Sequence, residues 1–314
     1  MIAAVALAFL FPGPGAQGGA FHADVLTNAG IALILFLQGL SLALEQVKRG
    51  AGNWRLHAVI QAFTFVVFPV VGLLFNWVMP AIWSGEPAAI RDGFLYLCVL
   101  PSTISTSVVL TAVARGNTAG ALFNAALSNI LGVLVTPILV QLLMNKTGAS
   151  GSFGPLLVKI TLLTLVPFAA GMLLRRWLHA WIDVRKVWVA RVSNAVILFI
   201  VYAAFCDSVQ QRLWQQHGLG LTAQVALLVV TLFGVMSALV WLACRALRLG
   251  PEDFIAAYFC SVKKTLAMGV PLAVLIFGER PDLPLLLLPV MFYHPLQLFL
   301  NGLLANHWAK RGAA

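Results

Sequence analysis

The chain has 314 residues, of which 61% are hydrophobic and only 10% charged, and its 20 Lys plus Arg against 10 Asp plus Glu leave a net charge of +10. That composition excludes a soluble globular domain and fits a polytopic membrane protein. The basic residues are spread over polar connections and are not interleaved with aromatics into a patch, which excludes a nucleic-acid partner.

Ten apolar segments run through the sequence, at roughly 1–12, 25–44, 56–79, 93–114, 118–143, 155–176, 189–207, 221–247, 253–277 and 283–308. Most reach the length of about 20 residues that a spanning helix needs. The first does not: about twelve residues at 1.5 Å each cover about half of the hydrocarbon core. A signal peptide would explain its shortness, but no Lys or Arg precedes the apolar run, so it is read as a truncated first helix. No hydrophilic domain, linker or low-complexity region interrupts the series. The longest polar stretch, about 177–188, is read as a loop with Trp177, Trp181 and Trp188 as interfacial anchors.

The connections on the side of both termini carry Lys48, Arg49, Arg55, Arg115, Arg175, Arg176, Arg185, Lys186, Arg191, Arg245, Arg248, Lys310 and Arg311. Those on the other side carry Arg91, Lys146, Arg212 and Arg280. This asymmetry places the N- and C-termini in the cytoplasm and suits the inner membrane of a bacterium. An even number of spans agrees. The four cysteines, Cys98, Cys206, Cys244 and Cys260, lie in apolar segments without metal or disulfide spacing and read as small core residues.

Two stretches stand out. Residues 258–272 place Lys263 and Lys264 deep inside the ninth segment, where a cation costs at least about 2.5–3.5 kcal/mol unless it meets a cavity, a partner or a mechanism. Gly269 and Pro271 are expected to break that helix. A shift of 162 residues lays 96–110 over 258–272 without a gap, with Tyr96/Tyr258, Cys98/Cys260, Thr103/Thr265, Val108/Val270 and Leu110/Leu272 identical. In the fourth segment Pro101 is expected to break the helix. Five spans per half is an odd number, so the second copy enters from the opposite face and the repeat is inverted. Two corresponding Gly/Pro-interrupted segments mark a transporter site.

Polar residues within the spans are few. The fourth segment offers Ser102, Thr103, Ser105, Thr106 and Ser107, and the fifth Asn124, Ser128 and Asn129. Freed carbonyls satisfied by these hydroxyls account for them as well as a cation or substrate site does, and an inter-helix hydrogen bond accounts for Asn124 and Ser128. All ten carboxylates lie at segment ends or in connections, so none is placed to pair with Lys263 or Lys264. If the first half of the ninth helix ends just before Lys263, its open carbonyls can take an ammonium in the place of a bound cation. Alternatively the lysines counter an anionic substrate, lie neutral, or reach water along the break. His294, beside Pro295, is either a hydrogen-bonded bundle residue or a ligand. No enzyme motif and no metal-ligating cluster appears, so neither an enzyme nor a cofactor is expected.

The stretches LPSTISTSVVLTAVARGN (100–117), LFNAALSNILGVLVTP (122–137), SVKKTLAMGVPLA (261–273) and LPVMFYHPLQL (288–298), with NWRLH (53–57), together resemble the bile acid:sodium symporter family. Within it they are similar to the sodium/bile acid cotransporter 7-like branch and its bacterial relatives. The resemblance covers nearly the whole chain. It implies an all-α fold of ten transmembrane helices in two inverted five-helix repeats, residues 1–143 and 155–308, with helices 4 and 9 broken and crossing. A core domain of 56–143 and 221–308 and a panel domain of 1–44 and 155–207 would hold substrate between them and alternate its access. Sodium-coupled members use a Ser-Asn pair on helix 4, where Thr106 and Ser107 lie here. Two hydroxyl residues on their helix 5 fall on Ala121 and Ala125, with Asn124 and Ser128 nearby. Their helix-9 glutamate falls near Val262–Lys263, and its replacement counts against Na⁺ coupling of the usual kind.

The sequence therefore reads as a secondary active transporter of a small organic anion in a lipid membrane, coupled to Na⁺ or H⁺. The expected substrate- and ion-binding residues are Thr103, Thr106, Ser107, Asn124, Ser128, Lys263, Lys264 and Thr265, with breaks at Pro101, Gly269 and Pro271. The alternative is a non-transporting membrane regulator of ion homeostasis on the same fold. Oligomeric state is not legible.

Overall fold

A computed structural model describes residues 2–16, 18–42, 52–83, 85–144, 153–210, 213–278 and 280–311. Lys48, Arg49, Lys146 and Arg212, used above to orient the chain, lie outside them. Among the described residues the secondary structure is entirely helical. Six helical stretches are long and apolar enough to cross a membrane: Trp54–Ile82, Thr118–Met144, Lys186–Gln210, Gly220–Ala246, Pro251–Phe277 and Leu283–Lys310. The chain is a multi-pass membrane protein.

The elements in order are α1 (Ile2–Leu10), α2 (Pro12–Gly15), α3 (Ala23–Ser41), α4 (Trp54–Ala62), a π-helical turn (Phe63–Val67), α5 (Phe68–Ile82), α6 (Ala88–Val99), α7 (Ser105–Val113), α8 (Thr118–Met144), α9 (Phe153–Val184), α10 (Lys186–Gln210), α11 (Leu213–Ala246), α12 (Pro251–Ser261), α13 (Leu266–Phe277) and α14 (Leu283–Arg311). They divide into two compact units, one of residues 1–43, 148–223 and 267–288, the other of 44–147, 224–266 and 289–314.

In the first unit α3 packs on α9 almost backbone to backbone. A Cβ on Gly39 would strike the carbonyl of Phe168, and one on Gly171 the carbonyl of Phe36. Small residues at such a crossing are how helices gain contact in lipid, where apolar burial alone drives little. Arg175 Nη1 then donates to Leu40 O at the end of α3, at 2.6 Å. The polar stretch at 177–188 is helix through Val184 and again from Lys186, not a loop. It contains no Gly or Pro to interrupt the helix, and charge alone does not end one. Trp177, Trp181 and Trp188 are exposed there, each with an arginine over its ring: Arg176 at 4.4 Å, Arg185 at 5.0 Å and Arg191 at 5.1 Å.

Gly269 and Pro271 do not break the ninth segment. Both lie inside α13, and the non-helical residues are Val262–Thr265, just upstream. Pro271 brings no N–H for the carbonyl four residues before it, Ala267 O. Gln38 on α3 supplies the missing donor, with Nε2 at 3.0 Å from Ala267 O. A proline in a spanning helix is tolerated when a neighbour satisfies the freed group.

In the second unit three helix N-termini are tied to one carboxylate. Asn53 Oδ1 caps α4 through Leu56 N–H at 3.2 Å, and Asn117 Oδ1 caps α8 through Gly120 N–H at 2.8 Å. Both asparagine amides donate to Asp253 in the first turn of α12, at 2.5 and 2.7 Å. A carboxylate among helix N-termini meets their positive ends. Through this joint α12 packs on α4, α7 and α8.

Replacing Gln38 by Ala should lower the unfolding free energy in detergent by roughly 1 kcal/mol. The same change in a Pro271→Ala background, where residue 271 again has an N–H, should cost little. Denaturant titration of the four proteins checks this, and equal costs in both backgrounds would reject the pairing.

Candidate functional site

Three interruptions of helical hydrogen bonding meet in the second unit. α6 ends at Val99 and α7 begins at Ser105, with Pro101 in the break. Gly132 on α8 makes room for that proline, since a Cβ there would sit 2.6 Å from the Pro101 ring. α12 ends at Ser261, where Val262 N–H turns back to Tyr258 O at 3.1 Å. The third interruption is the π turn. Phe68 N–H bonds to Phe63 O, one residue further back than in an α-helix. Thr64 O then has no backbone donor, because Phe68 N–H is taken and the next residue, Pro69, has none.

Lys264 collects these open carbonyls. Its Nζ donates to Thr64 O at 3.0 Å, Cys98 O at 2.9 Å and Leu100 O at 2.7 Å, and lies 4.0 Å from the centre of the Phe68 ring. Three acceptors around one nitrogen require three N–H groups, which only the ammonium form has. The residue is 1% exposed. Among the described residues no carboxylate pairs with it. Its own backbone is held by Gln297 on α14, whose Oε1 accepts Lys264 N–H at 2.8 Å and whose Nε2 donates to Lys264 O at 2.7 Å.

Lys263, fully buried, points elsewhere. Its Nζ donates to Thr106 Oγ1 at 2.6 Å. Thr106 lies 2.9 Å from Thr103 Oγ1, which lies 3.0 Å from Ser107 Oγ, and Ser107 donates to Phe259 O at 3.1 Å. A lysine here only donates and the last acceptor is a carbonyl, so the chain has one direction: Lys263 to Thr106 to Thr103 to Ser107 to Phe259 O. An amide carbonyl is no proton acceptor near neutrality, so this chain orients the lysine and does not conduct protons. Among the described residues Thr106 Oγ1 is the one acceptor that Lys263 Nζ has.

The two breaks also serve one another. Ser102 Oγ donates to Cys260 O at 2.6 Å, and Thr265 N–H donates to Pro101 O at 3.0 Å. Thr136 reaches Val99 O at 2.9 Å, Asn129 reaches Ser102 O at 2.8 Å, and Tyr293 reaches Val262 O at 2.7 Å. All carbonyls from Cys98 to Ser102 thus have a donor. The bonds Ser102 to Cys260 O and Lys264 to Cys98 O join positions that exchange under the 162-residue shift: 102 becomes 264, and 98 becomes 260.

The residues expected from the sequence fall into separate groups. Thr103, Thr106, Ser107 and Lys263 form the hydroxyl chain. Lys264 and Thr265 face the α6 end, and Ser128 accepts Ser102 N–H at 3.0 Å. Asn124 stands apart from both lysines' partners. It donates to His57 Nδ1 and Gly120 O, each at 2.9 Å, and receives Gln61 Nε2 at 3.2 Å. His294 Nδ1 accepts from Gln297 Nε2 at 3.1 Å, so it is hydrogen-bonded within the bundle. Sequence reasoning missed Thr64 and Gln297. The Thr64 carbonyl was findable from Pro69, which strips donors from the turn before it. Gln297 carries no such signal.

The model of the SBF-like CPA transporter family matches residues 1–310. The putative symporter YfeH of Escherichia coli is 36% identical over 311 residues, covering 99% of this chain and 92% of that protein. The uncharacterized protein PA2026 of Pseudomonas aeruginosa is 39% identical over 313 residues, with the same two shares. The sodium/bile acid cotransporter 7 of Danio rerio is 29% identical over 306 residues, 97% of this chain and 90% of that protein.

Gln297→Leu leaves the buried Lys264 N–H and C=O without partners and should cost about 2 kcal/mol or more of stability. Gln297→Glu keeps an acceptor for Lys264 N–H and should recover part of that loss. Thermal unfolding of both variants in detergent checks the order.

Proposed function

The chain belongs to the SBF-like CPA transporter family, and from that premise we propose that it is a secondary active transporter of a small or amphipathic organic anion, working by alternating access. The family is one of transporters and the chain is not an enzyme. The observation that carries the choice of an anion is Lys263: a buried lysine in the break between α12 and α13, with one hydroxyl acceptor among the described residues. An ammonium with N–H groups to spare in a site of low dielectric attracts a carboxylate or sulfonate strongly. Thr106, Thr103 and Ser107 hold it in orientation, and their own donors are committed along the chain. The bile acid in one relative's name, and the word symporter in another's, support the class of solute and the mode of transport.

The same proposal includes ten spans in two inverted repeats, a core of 56–143 and 221–308, a panel of 1–44 and 155–207, and cytoplasmic termini in a bacterial inner membrane. The hydrogen bonds that map onto each other under the 162-residue shift support the repeat. The asymmetry of Lys and Arg supports the orientation.

The alternative, a membrane regulator that moves no solute, is favoured by one feature, a lysine held where a transported cation would be coordinated. Uptake separates the two. Proteoliposomes of the wild type, offered bile salts and simpler carboxylates and sulfonates, should accumulate at least one of them saturably. Lys263→Met, which keeps the length and loses the charge, should lower that uptake about tenfold or more, the equivalent of about 1.4 kcal/mol, with little change in unfolding temperature. No saturable uptake by the wild type across the panel would sink the transporter reading, and unchanged uptake by Lys263→Met would sink the lysine's role in it.

A further inference from the structure

Sodium is the ion that the family resemblance and a relative's name bring to mind. The residues around Lys264 do not fit a free one. The three carbonyl oxygens that converge in this part of the unit, from Thr64, Cys98 and Leu100, already surround Lys264 Nζ at 2.7–3.0 Å. Among the described residues no carboxylate stands beside them to offset a second positive charge. We infer that the Lys264 ammonium is a tethered cation filling a carbonyl cage of its own, and that cutting the side chain back uncovers a binding site for a free monovalent cation.

Four observations carry this. The cage oxygens come from two separate backbone interruptions, and each is open for a local reason: the Phe63–Phe68 bond together with Pro69 frees Thr64 O, and the end of α6 before Pro101 frees Cys98 O and Leu100 O. The oxygens belong to backbone that other bonds hold in place. Thr64 Oγ1 is tied to Ile60 O at 2.8 Å, and Pro101 O to Thr265 N–H at 3.0 Å. The cage therefore does not owe its shape to the lysine alone. Carbonyl oxygens at open helix ends are a recurrent way of coordinating Na⁺. Finally, the Phe68 ring presents its face to the same point at 4.0 Å, adding attraction for any cation there. Lys263, bonded away to Thr106, leaves the cage to its neighbour.

The inference does not rest on transport, since binding is its readout. Purified wild type and Lys264→Ala are unfolded thermally in NaCl, KCl and choline chloride at matched ionic strength. The wild type should show no difference among the salts. Lys264→Ala should start at a lower unfolding temperature and rise by several degrees, saturably, with Na⁺ or K⁺ but not with choline. A saturable Na⁺-specific rise in the wild type overturns the inference, and so does a Lys264→Ala protein that treats all three salts alike. If Lys264→Ala does not survive extraction in choline, it is extracted in NaCl and with n-propylammonium, which carries the three carbons and the nitrogen that the substitution removes. Recovery in either supports the tethered cation, and failure in both overturns it.

Discussion

Three backbone carbonyls around one buried ammonium set the terms for the second unit. An ammonium out of water costs several kcal/mol, and three charge-assisted bonds at roughly 1.5–3 kcal/mol each are of the same order. The balance is met only while all three oxygens are in place. It therefore demands a π turn before Pro69, a helix end before Pro101 and a second helix end before Lys263, each of which sacrifices ordinary helical bonds. The rest of the polar interior follows from closing those losses. Ser102, Ser107, Thr136, Asn129, Tyr293 and Gln297 each give a donor to one opened carbonyl.

The two adjacent lysines have different environments because consecutive residues of an open segment point apart. Lys264 is saturated by backbone, and Lys263 ends a row of hydroxyls. A cation attached to the chain does not leave it, so it does not carry the energy of a gradient across the membrane. In the proposed transporter, the positive charge left for a substrate is that of Lys263.

Much of this was legible in the sequence because charges in apolar runs are rare enough to be read individually. The mismatch of Lys263 and Lys264 with their surroundings, and the offset copy at 96–110, point to the two breaks before any geometry is known. The end of α12 just ahead of Lys263 follows from the same residues. Pro271 misled because a proline's effect depends on who supplies the lost donor, and Gln38 lies far away in the sequence. The stretch at 177–188 misled because its charges resemble a loop, while it holds no Gly or Pro to interrupt a helix. Asn124 and Ser128 share a helix face, yet they turn to different neighbours, His57 in one case and the Ser102 backbone in the other. Spacing along one helix does not name the partner across it. Thr64 contributes through its carbonyl, to which sequence patterns are nearly blind unless a proline stands nearby.

The central claim is that this protein holds its cation covalently. Equilibrium binding of radioactive sodium to the purified wild type tests it most directly. The expected result is no saturable binding at any concentration that keeps the protein folded. Saturable binding of one Na⁺ per chain, competed by unlabelled Na⁺, would contradict it.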